Sequence, residues 1–182
     1  MPYRRYGVSA REGGTVNLRL GRAMALAMLL TTMVAPQVSA DELRATLDGK
    51  RIRIERVASL NCHDFDYPVI RCFSTADLVA ADIAARLDAT TAAGARLLSG
   101  GFVTVYQDVY YGSPSISLAN DETSLTAIGW NDRISSLQSF GASGGFWEHS
   151  PSGGFLYGYG TTTQVPNLGG AYNDKFSAFV IN

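Results

Sequence analysis

The chain has 182 residues, of which 46% are apolar and 17% charged, the balance of a folded domain and not of a disordered or fibrous chain. Without residues 1–40, which carry five arginines and one acid, 10 basic residues face 15 acidic ones, a net charge near −5. A surface of that sign with no Lys/Arg stripe gives no footprint for a nucleic-acid backbone and suits cations better than anions.

The amino end reads as an address. Ala23 to Ala35 is an unbroken run of 13 small and apolar residues behind Arg19 and Arg22, and it leads into Val38-Ser39-Ala40. That is the pattern of a secretory signal peptide with cleavage after Ala40. The competing reading is a membrane anchor, for which the run is short, since crossing a bilayer takes about 20 apolar residues. A secreted protein is therefore expected, extracellular or periplasmic, with no membrane span and a mature chain that begins near Asp41.

Residues 41–100 read as a small α+β segment. Ile52 and Ile54 alternate with Arg51, Arg53 and Glu55, as on one face of a short strand. Cys62 and Cys72 are the only cysteines, and in an exported chain a lone pair reads as a disulfide. The alternative, a Cys/His metal site through His63, has too few soft ligands for tetrahedral zinc. Between the cysteines, His63, Asp64, Asp66 and Pro68 read as a loop, with the two acids in a solvated turn, and Val69 to Phe73 as a strand. Ser74 or Thr75 then caps a helix whose buried face carries Val79, Ile83 and Leu87. Thr90 to Gly101, rich in Ala, Thr and Gly, reads as a tether and marks a domain boundary.

Beyond Gly101 the composition shifts to Gly, Ser, Tyr and short alternating apolar runs, the mark of a mainly β domain. Val103 and Val105 alternate with Thr104 and Tyr106, and Tyr110 to Pro114 turns the chain toward Ile116 and Leu118. Phe146-Trp147 opens a second unit, with a turn at Gly153-Gly154 and alternation at Phe155, Tyr157 and Tyr159. Two units, 102–140 and 145–182, predict a two-sheet Greek-key sandwich.

One motif occurs in both units. Asn131-Asp132-Arg133-Ile134-Ser135-Ser136 is echoed at an offset of 42 by Asn173-Asp174-Lys175-Phe176-Ser177-Ala178, with Trp130 and Tyr172 directly before the two asparagines. A fixed offset of that size signals a duplicated supersecondary unit. Asn and Asp supply carbonyl and carboxylate oxygens, the turn frees backbone carbonyls, and the serine returns a hydroxyl, a mixture that a hard cation such as calcium takes. The plain alternative is a pair of Asx turns that bind nothing.

This Asn/Asp-Asn/Asp-x-x-Ser/Thr-Ser pattern resembles the calcium-binding signature of the microbial βγ-crystallin family, over residues 101–182. The family's first-strand pattern, an aromatic, four residues, an aromatic, one residue and a glycine, is met by Tyr106 and Tyr111, with Gly112 one position early, and by Trp147 and Gly154, with Ser152 in the middle aromatic's place. The resemblance implies a Greek-key sandwich preceded by the α+β segment and the signal peptide. It also implies two calcium ions held between the units. Asn131, Asp132 and Ser135 would share one with the Glu148 region; Asn173, Asp174 and Ser177 would share the other with Gln107 and Asp108. Ala178 makes the second signature the less complete.

A non-enzymatic calcium-binding protein in a structural or stress-protective role is the function this implies. The runner-up is a secreted protease inhibitor or toxin-like binding protein on the same fold, with a protease as protein partner. An enzyme fits worst: His63 and His149 lie in different segments, and neither Gly-x-Ser-x-Gly nor His-Glu-x-x-His occurs. Intact-mass measurement of the exported protein checks the first expectations, a chain that starts near Asp41 and lacks two hydrogens for a Cys62–Cys72 bond.

Overall fold

A computed structural model describes residues 43–93, 100–121, 125–149 and 153–182. The leader at 1–40, part of the tether at 94–99, and Ser152 lie outside the described residues. Eleven strands and one long helix follow in order: β1 (Arg44–Leu47), β2 (Lys50–Ile52), β3 (Asn61–Asp66), β4 (Val69–Phe73), α1 (Ala76–Ala93), β5 (Phe102–Asp108), β6 (Gly112–Leu118), β7 (Ser136–Phe140), β8 (Gly144–His149), β9 (Gly153–Tyr159), β10 (Gln164–Val165) and β11 (Ala178–Ile181). No helix among the described residues is long and apolar enough to cross a membrane.

The strands make two sheets. One has eight strands in the order β10-β7-β5-β6-β3-β4-β1-β2, the other three in the order β11-β8-β9. The fold is therefore mainly β, with a Greek-key exchange between the duplicated units. Strand β10 comes from the second unit but pairs with β7 of the first, Val165 opposite Leu137. In return the crossing segment of the first unit runs along β11, where Leu125 donates its N–H to the Ser177 carbonyl and Ile181 donates to the Asp121 carboxylate. Each unit thus completes the other's layer, and neither half can bury its apolar face alone.

The alternating runs face inward as their period demands. Val103, Val105, Ile116, Leu118 and Leu137 are fully buried, and Phe146 stacks on Phe176 with ring centroids 4.6 Å apart. Ile134 and Phe176, equivalent positions of the two motifs, are both wholly buried.

The amino-terminal segment adds its four strands to the same eight-stranded sheet. Strand β3 runs parallel to β6, with Cys62 opposite Ile116 and His63 opposite Ser117, and the described residues form one compact unit. The disulfide is present between Cys62 and Cys72, which face each other across β3 and β4. Thr75 caps α1, its hydroxyl accepting the Leu78 N–H at 3.3 Å. The helix runs to Ala93, into the stretch that reads as a tether.

Two local expectations need correction. Ile54 is not in a strand with Ile52; it opens a 3-10 turn over Ile54–Ser59 that buries Val57 and Ala58. The supposed loop after Cys62 is strand β3, and Asp64 is not in a solvated turn. Its carboxylate is fully buried and accepts the N–H groups of Ala119 at 2.7 Å and Asn120 at 3.2 Å, which fastens β3 to the end of β6. Asp64 reaches the end of β6, while His63 and Asp66 both meet α1, which strict alternation would forbid; the β3–β4 register shifts between them and brings them to one face. There His63 Nε2 lies 2.8 Å from Asp82, and Arg86 forks onto Asp66 at 2.7 and 2.8 Å. His63 Nδ1 accepts the Phe65 N–H, so the proton facing Asp82 is on Nε2. Burial holds His63 below its ordinary 6.5 against the pull of Asp82.

Burial also pushes the Asp64 carboxyl up to about 7 from an ordinary 3.8, despite its backbone donors. The unfolded chain releases this proton near 3.8 and the folded chain near 7, so between those values the folded form holds the extra proton and stability falls as pH rises. His63 acts oppositely below 6.5, which makes the comparison with a variant the clean measurement. Asp64→Asn offers only one acceptor to two N–H groups and should cost about 1–3 kcal/mol at pH 5. In urea unfolding, the advantage of wild type over this variant should shrink steadily from pH 5 to about pH 7 and then level off; a constant difference would refute the buried titration.

Candidate metal-binding site

The two motifs form matching tight turns. Asp132 and Asp174 both adopt left-handed backbone, with φ of 53° and 54°, a conformation that Asn and Asp tolerate better than other side chains. In each turn the asparagine amide donates to the following carboxylate, Asn131 to Asp132 at 2.6 Å and Asn173 to Asp174 at 2.7 Å. That leaves both asparagine carbonyl oxygens as acceptors.

The turns are also clasped to each other. Asp132 donates its N–H to the Phe176 carbonyl at 3.0 Å, and Asp174 donates to the Ile134 carbonyl at 3.2 Å. A second symmetric pair anchors the serines. Ser135 donates its N–H to Tyr106 at the end of β5, and its carbonyl accepts from Leu168; Ser177 donates to Trp147 in β8, and its carbonyl accepts from Leu125.

These bonds decide which residues meet. Ser135, Asp108, Val109, Asn167 and Asn173 line a single cleft of about 550 Å³ at the junction of the units. Asn173 therefore lies with Asp108 and with Ser135, the serine of the other motif. Gln107 stays in β5 outside the cleft lining. In the matching corner, Asp132 is bonded beside Ser177, and Ser177 beside Trp147, the neighbour of the exposed Glu148. The serines thus change partners relative to the sequence reading: each turn faces the serine of the opposite motif. The cause is the strand exchange, which carries every Asn-Asp turn across to the other unit while its serine, four residues on, returns to its own first strand.

The first hairpin is held under strain beside the cleft. Tyr110 and Tyr111 both have positive φ, 55° and 64°, costly for bulky side chains and stable only where the surroundings over-determine it. Tyr110 donates its N–H to Pro166, and Tyr111 donates to the Ser136 hydroxyl at 3.1 Å, which itself donates to the Asp108 carbonyl at 2.6 Å. Gly112 is required here, since a Cβ on it would come within 2.6 Å of the Asp108 Cβ. The last serine of the motif is thus a brace for the hairpin, and Ala178 has no hydroxyl to do the same. The middle aromatic missing at Ser152 has a substitute that the sequence pattern did not reveal: Phe155 packs edge-on against Trp147 at 5.5 Å, as Tyr111 does against Tyr106 at 5.4 Å.

The donor set is oxygen throughout, and among the described residues no group of three or more His, Cys, Asp or Glu side chains gathers to hold a metal. Such a set, amide and backbone carbonyls with hydroxyls and few carboxylates, fits a hard cation of flexible coordination and not zinc or copper. Electrostatics points the same way. Partial burial, with the Asp132 carboxylate nearby, raises the Asp174 carboxyl above its ordinary value, and a cation would relieve both effects.

The duplicated units, with β5 to β7 in the first and β8 to β11 in the second, share two sheets through the crossing of β10 and define a double Greek-key domain. No protein-family model matches the chain, and no curated protein sequence matches it. Among solved structures, a double mutant of a βγ-crystallin domain from Clostridium beijerinckii is similar at 34% identity, over 94% of that chain and 44% of this one, with a TM-score of 0.39. A single mutant of that domain is 30% identical over 99% of its length, TM-score 0.39, and a βγ-crystallin from an archaeon 25% identical over 95%, TM-score 0.39. Over 44% of its length the chain is thus similar to microbial βγ-crystallin domains.

Ser136→Ala tests the brace. It leaves the Tyr111 N–H and the Asp108 carbonyl without their partner in a half-buried position and should cost about 0.5–1.5 kcal/mol. Hydrogen exchange at Tyr111 should accelerate with it; unchanged protection there would mean the hydroxyl does not hold the hairpin.

Proposed function

We propose that this is a secreted, non-enzymatic, calcium-binding protein in which the ion fastens the two Greek-key units to each other. The observation that carries the reading is the convergence of Ser135, Asp108 and Asn173, from both units, on one oxygen-lined cleft. Asn173 and the Ser135 hydroxyl would hold one ion with oxygens of the Asp108 loop. Asn131 and Ser177 would hold the other beside Glu148. Calcium supplies there a charge that offsets the Asp132–Asp174 repulsion and a further bond between halves already joined by packing and hydrogen bonds. Few carboxylates per site mean weak binding, on the order of 10⁻⁴ to 10⁻³ M, as in other extracellular modules. That range suits a structural or stress-protective role better than signalling.

Thermal unfolding with calcium and with chelator tests the reading. An ion bound only by the native state adds ~2.7 kcal/mol at a hundredfold excess over Kd, so the melting temperature should rise by several degrees. Magnesium should do much less, because it demands octahedral geometry and keeps its waters. Asp132→Ala and Asp174→Ala should each remove part of the rise. The partner exchange makes a sharper forecast: Ser135→Ala and Asn173→Ala strike the same ion, so together they should lose little more than either alone. Ser135→Ala with Asn131→Ala should lose both contributions. Identical melting curves in millimolar calcium and in chelator would reduce the motifs to Asx turns that bind nothing.

A further inference from the structure

Half of the basic residues of 41–182, Arg44, Lys50, Arg51, Arg53 and Arg56 among ten, fall within 13 positions of an otherwise acidic chain. The fold gathers four of them around one open cleft of about 820 Å³. Arg44 begins β1, Arg51 lies in β2 at the edge of the large sheet, Arg53 follows β2, and Arg56 is in the 3-10 turn. All four are exposed, and among the described residues the ion pairs of arginine involve only Arg71 and Arg86. The floor is apolar, from Ala45, Ile52 and Ile54, and the one acid in the lining is Glu55.

Charges on an edge strand also discourage strand-to-strand aggregation. Lysine does that equally well, and it does not require convergence. Four guanidiniums around one concavity are different. Each presents a planar fork of donors matched to phosphate or carboxylate oxygens, and unpaired like charges held together are unfavourable until an anion joins them. The formal charge of the lining, four arginines against one glutamate, is near +3. A phosphate monoester carries about −1.5 to −2 at neutral pH and a diester about −1, so one leaves the cleft unbalanced and two come near to matching it.

We propose that this cleft binds a ligand bearing two phosphoryl groups, either a soluble diphosphate or the diphosphorylated headgroup of a lipid. The cleft is a spot and not a stripe, so it suits a compact diphosphate and not a nucleic-acid backbone.

The test uses the full exported chain in calcium-free buffer, which separates its outcome from that of the calcium reading. Inorganic pyrophosphate is titrated calorimetrically at about 0.15 M salt, where the Debye length of ~8 Å leaves little but contact interactions. Orthophosphate and sulfate serve as single-centre controls. Sedimentation with phosphatidylcholine vesicles, with and without cardiolipin, forms the second arm. Pyrophosphate should bind at least about tenfold more tightly than orthophosphate, and Arg51→Gln, Arg53→Gln or Arg56→Gln should each weaken it by about tenfold, the scale of one charge-assisted hydrogen-bond pair. Lys175→Gln, on the exposed motif turn, should change nothing, and melting curves should show every variant folded. Binding of pyrophosphate without vesicles assigns the soluble source; cardiolipin-dependent sedimentation without pyrophosphate binding assigns the lipid. Failure of both arms overturns the proposal, as does equal affinity for orthophosphate, equal loss in Lys175→Gln, or tighter binding of duplex DNA than of pyrophosphate.

Discussion

The structure depends on a reciprocal clasp of four backbone groups. Asp132 reaches the Phe176 carbonyl and Asp174 reaches the Ile134 carbonyl, and the side chains of Ile134 and Phe176 are sunk in the core. Each turn is thereby fixed from two sides, by the partner turn above and by a buried apolar side chain below. The left-handed conformation of the two aspartates aims their N–H groups across the junction, at a modest backbone cost that their residue type keeps small. With the clasp in place, each serine lies beside the first strand of its own unit and opposite the other unit's asparagine. The oxygen-lined cleft is a consequence of how the halves are joined.

This arrangement gives a physical reason for coupling a cation to fold stability. An ion in the cleft would touch oxygens from both units, so separating the units would also release it. The two carboxylates are placed where their repulsion is felt only when the units are together.

The amino-terminal segment solves a different problem. Without it, β6 would be the exposed edge of the large sheet, an open template for pairing with other chains. Strand β3 covers that edge in parallel register, Asp64 captures the Ala119 and Asn120 N–H groups, and Asn61 accepts the hydroxyls of Ser113 at 2.7 Å and Ser115 at 3.3 Å. The disulfide and the ion-paired face of His63, Asp66, Asp82 and Arg86 keep β3, β4 and α1 together. The new edge is β2, where the arginines gather.

The sequence by itself determined the duplicated motif, the alternating strands, a cap at Ser74 or Thr75 and the cysteine pair, because each is a local pattern: a spacing of two, a spacing of 42, a capping residue, two lone thiols. It also showed which residue types would supply oxygens. Only the tertiary structure decided which serine meets which asparagine, since that follows from a strand exchange between units and leaves no trace in spacing. It alone placed Asp64, which in sequence resembles any acid near a proline and in the fold is a buried acceptor for a strand 55 residues away. Phe155 could replace the absent aromatic at 152 only because the β8–β9 register shifts between Phe146 and Trp147. The arginines of 44–56 read as an alternating strand face in one dimension. Their convergence depends on β2 turning back along β1 and on the 3-10 turn that ends the strand early, choices made by the packing of Val57 and Ala58 and not by the charges.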